Sequence, residues 1–97
     1  MEPLFGETPR ADANLKPTKY AQVIGVPSAI SPPVPGRILM LLAETQAIRI
    51  RDDGTDPTTA VGFLIPAGVA YEYKGDTRNL RIIEAAASAT LNVLGYD

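Results

Sequence analysis

Residues 47–53 read Ala47-Ile48-Arg49-Ile50-Arg51-Asp52-Asp53, and Gly54 follows. Two isoleucines alternate with two arginines, so Ile48 and Ile50 share one face and Arg49 and Arg51 the other. A period of two marks a strand with one dry and one wet face. The Asp-Asp-Gly cluster that ends it, with Asp56 and Pro57 close behind, is turn chemistry. Downstream, residues 60–65 alternate again, with Val61, Phe63 and Ile65 on one side, until Pro66-Ala67-Gly68 interrupts them. Val69, Tyr71 and Tyr73 then share a side of residues 69–74 before Gly75-Asp76. Residues 80–87 and 90–94 supply two last strands, the alanines at 85–87 leaving room for a neighbouring strand or sheet. Upstream, residues 37–44 (RILMLLAE) form one apolar run. Its shortness and its stop at Thr45-Gln46 favour a strand buried on both faces over a short helix. Five or six strands at roughly ten-residue spacing predict an all-β fold, a small antiparallel sandwich or barrel of jelly-roll-like form.

The prolines divide the chain differently. Seven of nine (Pro3, Pro9, Pro17, Pro27, Pro32, Pro33, Pro35) lie in residues 1–36. Each fixes φ, removes a donor and pushes the preceding residue toward extended backbone. This predicts an extended Pro-rich N-terminal arm over residues 1–36, in which residues 20–26 can form a short strand, and a compact β-domain over 37–97 that supplies the core. Ser31-Pro32-Pro33-Val34-Pro35-Gly36 reads as a stiff polyproline-like connector between them. Residues 1–19 are expected to order only on assembly. Leu4, Phe5, Leu15 and Tyr20 are spaced along the arm as apolar anchors for a partner.

With 97 residues the chain is one domain with a modest core, an argument for self-association or a partner. There is no cysteine, so neither a disulfide framework nor thiolate chemistry is expected. The absence of histidine removes the commonest general base and transition-metal ligand. A net charge of −2 carries no basic footprint for nucleic acid. The apolar run at 38–43 is too short to span a bilayer, and the N-terminus has Glu2 and no apolar h-region, so neither membrane insertion nor a signal peptide is expected.

Four groups of side chains could carry chemistry. Asp52, Asp53 and Asp56 offer oxygens to calcium, but their spacing departs from the EF-hand pattern, and a solvated turn is the better reading. Arg49 and Arg51 can grip a partner's carboxylate or phosphate, or pair across strands with Glu44, Glu72 or Glu84. Glu84 could be a buried acid, but a rim position paired to Arg81 or Arg49 is the better reading. Tyr71 and Tyr73 would form an aromatic platform if exposed, but filling the core is the better reading by burial preference. Without histidine no serine or threonine has a triad partner, and no glycine-rich phosphate loop is present, so no catalytic residue, cofactor or metal is expected.

Residues 41–97 resemble small virion proteins of tailed bacteriophages, of the capsid decoration (cement) type. The resemblance is carried by Ala43-Glu44-x-Gln46 and then Ile48-Arg49-Ile50-Arg51-Asp52-Asp53-Gly54-Thr55-x-Pro57-Thr58. Val61-Gly62, the turn at Pro66-Ala67-Gly68, a Tyr-rich strand and the closing Ile83-Glu84-Ala85-Ala86-Ala87-Ser88-Ala89-x-Leu91-Asn92-Val93 complete it. It implies a non-enzymatic structural protein of the virion, assembled in the host cytoplasm. Its partners would be the major capsid protein and other copies of itself, as a dimer or trimer. Partner contacts are expected at Leu4, Phe5, Leu15, Tyr20, Arg49 and Arg51. The alternatives are a neck, tail or fibre-base component, and a small sugar- or ligand-binding domain using Tyr71, Tyr73 and the two arginines.

Overall fold

Every regular element among residues 15–97, which the computed structural model describes, is a β-strand. The strands are β1 (Pro17–Ile24), β2 (Ile38–Glu44), β3 (Ile48–Arg51), β4 (Phe63–Ile65), β5 (Tyr71–Tyr73), β6 (Arg81–Glu84) and β7 (Thr90–Tyr96). They form two antiparallel sheets: a four-stranded one ordered β1-β7-β2-β5 and a three-stranded one ordered β4-β3-β6. The fold is therefore all-β, a sandwich rather than a closed barrel.

The dry faces meet as the alternation requires. Leu39, Leu41 and Ala43 of β2, Leu91 and Val93 of β7 and Tyr73 of β5 face Ile48 and Ile50 of β3, Ile65 of β4 and Ile82 of β6. Phe63 shares the face of Ile65 but lies at the rim, where its ring rests on Tyr71, the centroids 5.6 Å apart. Val61, expected on that face too, is exposed in the loop before β4. Residues 85–87 also depart from expectation. β6 ends at Glu84, Ala86 and Ala87 are exposed, and Ser88 turns the chain with φ of 73°.

The largest correction concerns residues 15–36. Gly36 is not a boundary between arm and body, because the core crosses it: Val26 and Val34 are buried among the residues of both sheets. β1 begins at Pro17 rather than residue 20 and pairs along β7, with Ala21 opposite Val93 and Val23 opposite Leu91. A proline suits the first residue of an edge strand, where no ladder bond needs its missing N–H. The chain then crosses between the sheets. Ile30 bridges Ile82 on the outer edge of β6, so the Pro-rich segment closes one side of the sandwich. The Thr18 hydroxyl donates to the Pro35 carbonyl at 2.6 Å, across the face of Gly95. A Cβ on Gly95 would lie 2.2 Å from that carbonyl oxygen, so only glycine lets the connector approach.

Candidate functional site

Arg49 and Arg51, the expected grip on a partner, both face away from the core, but their guanidinium groups are engaged within the chain. Arg49 Nε donates to the Thr59 carbonyl and Nη1 to the Gly62 carbonyl, each at 3.0 Å. The side chain thus clamps the loop between β3 and β4 onto the outer face of the smaller sheet. Arg51 makes a bidentate pair with Asp53, two residues on, and this charge-assisted contact holds the Asp53 carboxyl below its ordinary range. Neither arginine pairs with Glu44, Glu72 or Glu84. The alternation reported their facing correctly; the loop that folds back on them is not written in it.

The acidic turn is likewise occupied by its neighbours. Asp52 accepts from the Tyr73 hydroxyl at 2.5 Å, Asp53 takes Arg51 and the Thr55 amide, and Asp56 lies 3.9 Å from Arg81. Burial, reinforced by the hydrogen bond to Asp52, pushes the Tyr73 phenol well above its ordinary pKa. Tyr73 is buried and Tyr71 packs against the core, so the aromatic platform imagined for a sugar is not at the surface. Glu84 is not a rim acid. It is buried, and Oε1 accepts from the amides of Val26 at 2.9 Å and Ala89 at 3.3 Å. This carboxylate fastens the Pro-rich segment to the turn before β7. Apolar residues on both sides (Ile82-Ile83 and Ala85-Ala86-Ala87) were the signal for its burial.

What remains available is the outer face of the four-stranded sheet. β2 is apolar on both sides, yet among the described residues only Leu39, Leu41 and Ala43 have a second layer over them, so the expectation of a strand buried on both faces is not met there. Met40 and Leu42 point outward and are half-buried, flanked by Leu94 and Tyr20, which are 42% and 53% exposed. Together with Ala70 and Tyr96 they line a shallow groove of about 460 Å³ across β1, β7 and β2. One end is polar and already ordered. The amide of Asn92 accepts from the Tyr20 hydroxyl (2.6 Å) and Gln22 Nε2 (3.1 Å), and donates to Glu44 Oε2 (2.7 Å) and the Leu42 carbonyl (3.3 Å). Four hydrogen bonds saturate this amide and fix the Tyr20 ring at the groove wall. Such a surface suits apolar contact with a protein, with a polar margin for register. Among the described residues no group of His, Cys, Asp or Glu is arranged to hold a metal ion.

Of the expected anchors, Tyr20 therefore stands at the groove, Leu15 is half-buried just before β1, and Leu4 and Phe5 lie outside the described residues. No family model, curated protein or solved structure matches this chain.

Proposed function

We propose that this chain is a non-enzymatic structural protein that docks onto a protein shell through the outer face of its four-stranded sheet. The setting is the one the sequence resemblance implies: a capsid decoration (cement) protein of a tailed-phage virion, contacting the major capsid protein and copies of itself. The observation that carries the docking surface is the run of apolar residues on the outer side of β2 and β7, where Met40, Leu42 and Leu94 have no second layer over them among the described residues. A sandwich needs only one apolar face per sheet for its own core. The second face is available to a partner. Arg49 and Arg51 are left out of the docking surface, since both are spent on their own loop and turn. A neck, tail or fibre-base position uses the same surface on a different platform, and copy number per purified particle separates it from a place on the shell.

The test is titration of the protein onto undecorated shells. Leu42→Lys with Leu94→Lys places two charges on the groove and leaves the core side chains in place. If half of each side chain is covered on docking, its removal costs about half of the 1.5–3 kcal/mol for full burial, so affinity falls about ten- to hundredfold. Undiminished occupancy by a folded double variant would overturn the assignment of this face.

A further inference from the structure

We infer that β1 is a self-association edge, on which a second copy of this chain pairs antiparallel about Gln22. The inference rests on the docking reading for its setting, but its chemistry is internal to the strand.

β1 is the outermost strand of its sheet, and at eight residues it is longer than the other strand at a sheet margin there, three-residue β5. Its hydrogen-bond phase follows from the ladder with β7. The Gly25 amide donates to the Ala89 carbonyl, so in the same register Val23 with Leu91 and Ala21 with Val93 are the hydrogen-bonded pairs. Tyr20, Gln22 and Ile24 are then the positions whose N–H and C=O point away from β7. None of them donates to or accepts from another loop among the described residues. A row of outward backbone groups of this kind is a template for strand addition.

The side chains at those positions agree. Ile24 is 81% exposed and Tyr20 53% exposed, and both sit on the outer face, two residues either side of Gln22. A two-fold axis at Gln22 sets Gln22 against Gln22 and Tyr20 against Ile24 of the second copy, in both directions. Every outward backbone group of the three residues then meets a complementary one. Each exposed side chain gains an aromatic to β-branched cross-strand neighbour, a favourable pairing on a sheet. Shifting the register by two residues leaves Tyr20 or Ile24 without this partner. Charge sets no obstacle, because the antiparallel arrangement places Lys19 opposite Gly25 of the other copy and not opposite a second lysine. The pairing also joins the two grooves on one face of an eight-stranded sheet, giving a broader docking platform than either copy alone.

Edge pairing of this length makes a small interface, so association is expected on the order of 10–100 µM for the free protein. Sedimentation equilibrium of the full chain over that range tests it. Gln22→Pro removes the outward N–H and also the Nε2 bond to Asn92, so it is compared with Gln22→Ala, which loses the same bond and keeps the N–H; Ile24→Lys replaces an exposed side chain, and none of these touches the backbone ladder with β7. Gln22→Pro against Gln22→Ala, and Ile24→Lys against the unaltered chain, are each expected to weaken dimerisation by about tenfold or more, with the urea midpoint measured at monomeric concentration unchanged in the same comparison. As a positional readout, Gln22→Cys in this cysteine-free chain should form a symmetric disulfide under mild oxidation, and Arg78→Cys should not. A monomer at the highest concentration overturns the inference. So does a dimer that both edge variants leave intact, or one that appears only when residues 1–14 are deleted, which would mean the chain covers its own edge. A monomer that still binds shells removes this inference alone. A dimer that fails to bind shells removes the functional reading alone.

Discussion

Replacing Glu84 separates two accounts of how residues 25–36 are held. In one, apolar packing of Val26, Ile30 and Val34 suffices; in the other, the buried carboxylate is indispensable. Glu84→Ala orphans the amides of Val26 and Ala89, both on residues with no solvent exposure. A buried donor left without an acceptor costs about 1–3 kcal/mol. The Val26 bond at 2.9 Å is of ordinary strength, while the Ala89 bond at 3.3 Å is long and counts at the low end. Removing the carboxylate also recovers part of what its burial cost. The net expectation is a loss of about 1–3 kcal/mol from a fold whose whole stability is typically about 5–15 kcal/mol. In a domain of this size it corresponds to a fall in Tm of about 4–24 °C.

Glu84→Gln is the control, because its amide oxygen can take both amides in the same place. It forfeits only the charge assistance, and about 1 kcal/mol is expected. Urea unfolding followed by far-ultraviolet circular dichroism reads both, and tyrosine fluorescence gives a second probe in a chain without tryptophan. A loss within about 0.5 kcal/mol for the alanine variant would refute the role given to the carboxylate. Equal losses for both variants would put the effect on charge rather than on acceptance.

Three further outcomes follow from named contacts. Arg49→Met should remove the clamp on the Thr59 and Gly62 carbonyls, costing about 1–3 kcal/mol and raising amide exchange across residues 55–62, whereas shell binding by the folded variant should be unchanged. Gly95→Ala drives a methyl into the Pro35 carbonyl and the Thr18 hydroxyl, so a loss of about 1–3 kcal/mol or more is expected in thermal melts, with no loss for the same change at exposed Gly54 beyond that of its positive φ. For Tyr73 the folded-state pKa is raised, so its contribution is complete below the unfolded value near 10 and declines above it. Stability should fall by about 1.4 kcal/mol per pH unit there, and Tyr73→Phe should flatten that slope.

The parts of the fold legible in the sequence are those whose signal is local. Isoleucines and arginines alternating over 48–51 fixed the facing of β3, and the apolar run at 37–44 announced a strand, though burial on both its faces does not hold. Tyr71 and Tyr73 sharing a side was likewise enough to place them toward the core. What escaped was non-local. β1 finds its partner about seventy residues along the chain, as the Tyr20 to Asn92 bond shows, with a sequence separation of 72. Pattern within a window of ten residues carries no trace of that pairing. The prolines then misdirected the reading, because they describe backbone geometry and not whether a segment is packed. Val26, Ile30 and Val34, each set between prolines or beside one, were the available clue: an extended segment with an apolar residue every fourth position can line a sandwich seam as readily as a partner's groove.

The same distinction bears on function. Charged side chains drew attention because guanidinium and carboxylate groups do chemistry, yet in this chain they close loops: Arg49 on two carbonyls, Arg51 on Asp53, Glu84 on two amides. The apolar outer side of β2 drew none, because in a linear reading it merged with the core. Only the sheet order distinguishes the two faces of that run. Once β5 and β7 flank β2 and, among the described residues, a second layer covers one side alone, Met40 and Leu42 become the residues whose hydrophobicity the sandwich core does not use. Apolar side chains there, beside an ordered Asn92 network and the outermost strand β1, are the observations on which the proposed docking surface stands. Substitutions at Met40, Leu42 and Leu94 are expected to leave the melting curve nearly unmoved and to change what the protein adheres to. Core positions one residue away, such as Leu41 and Val93, will do the reverse.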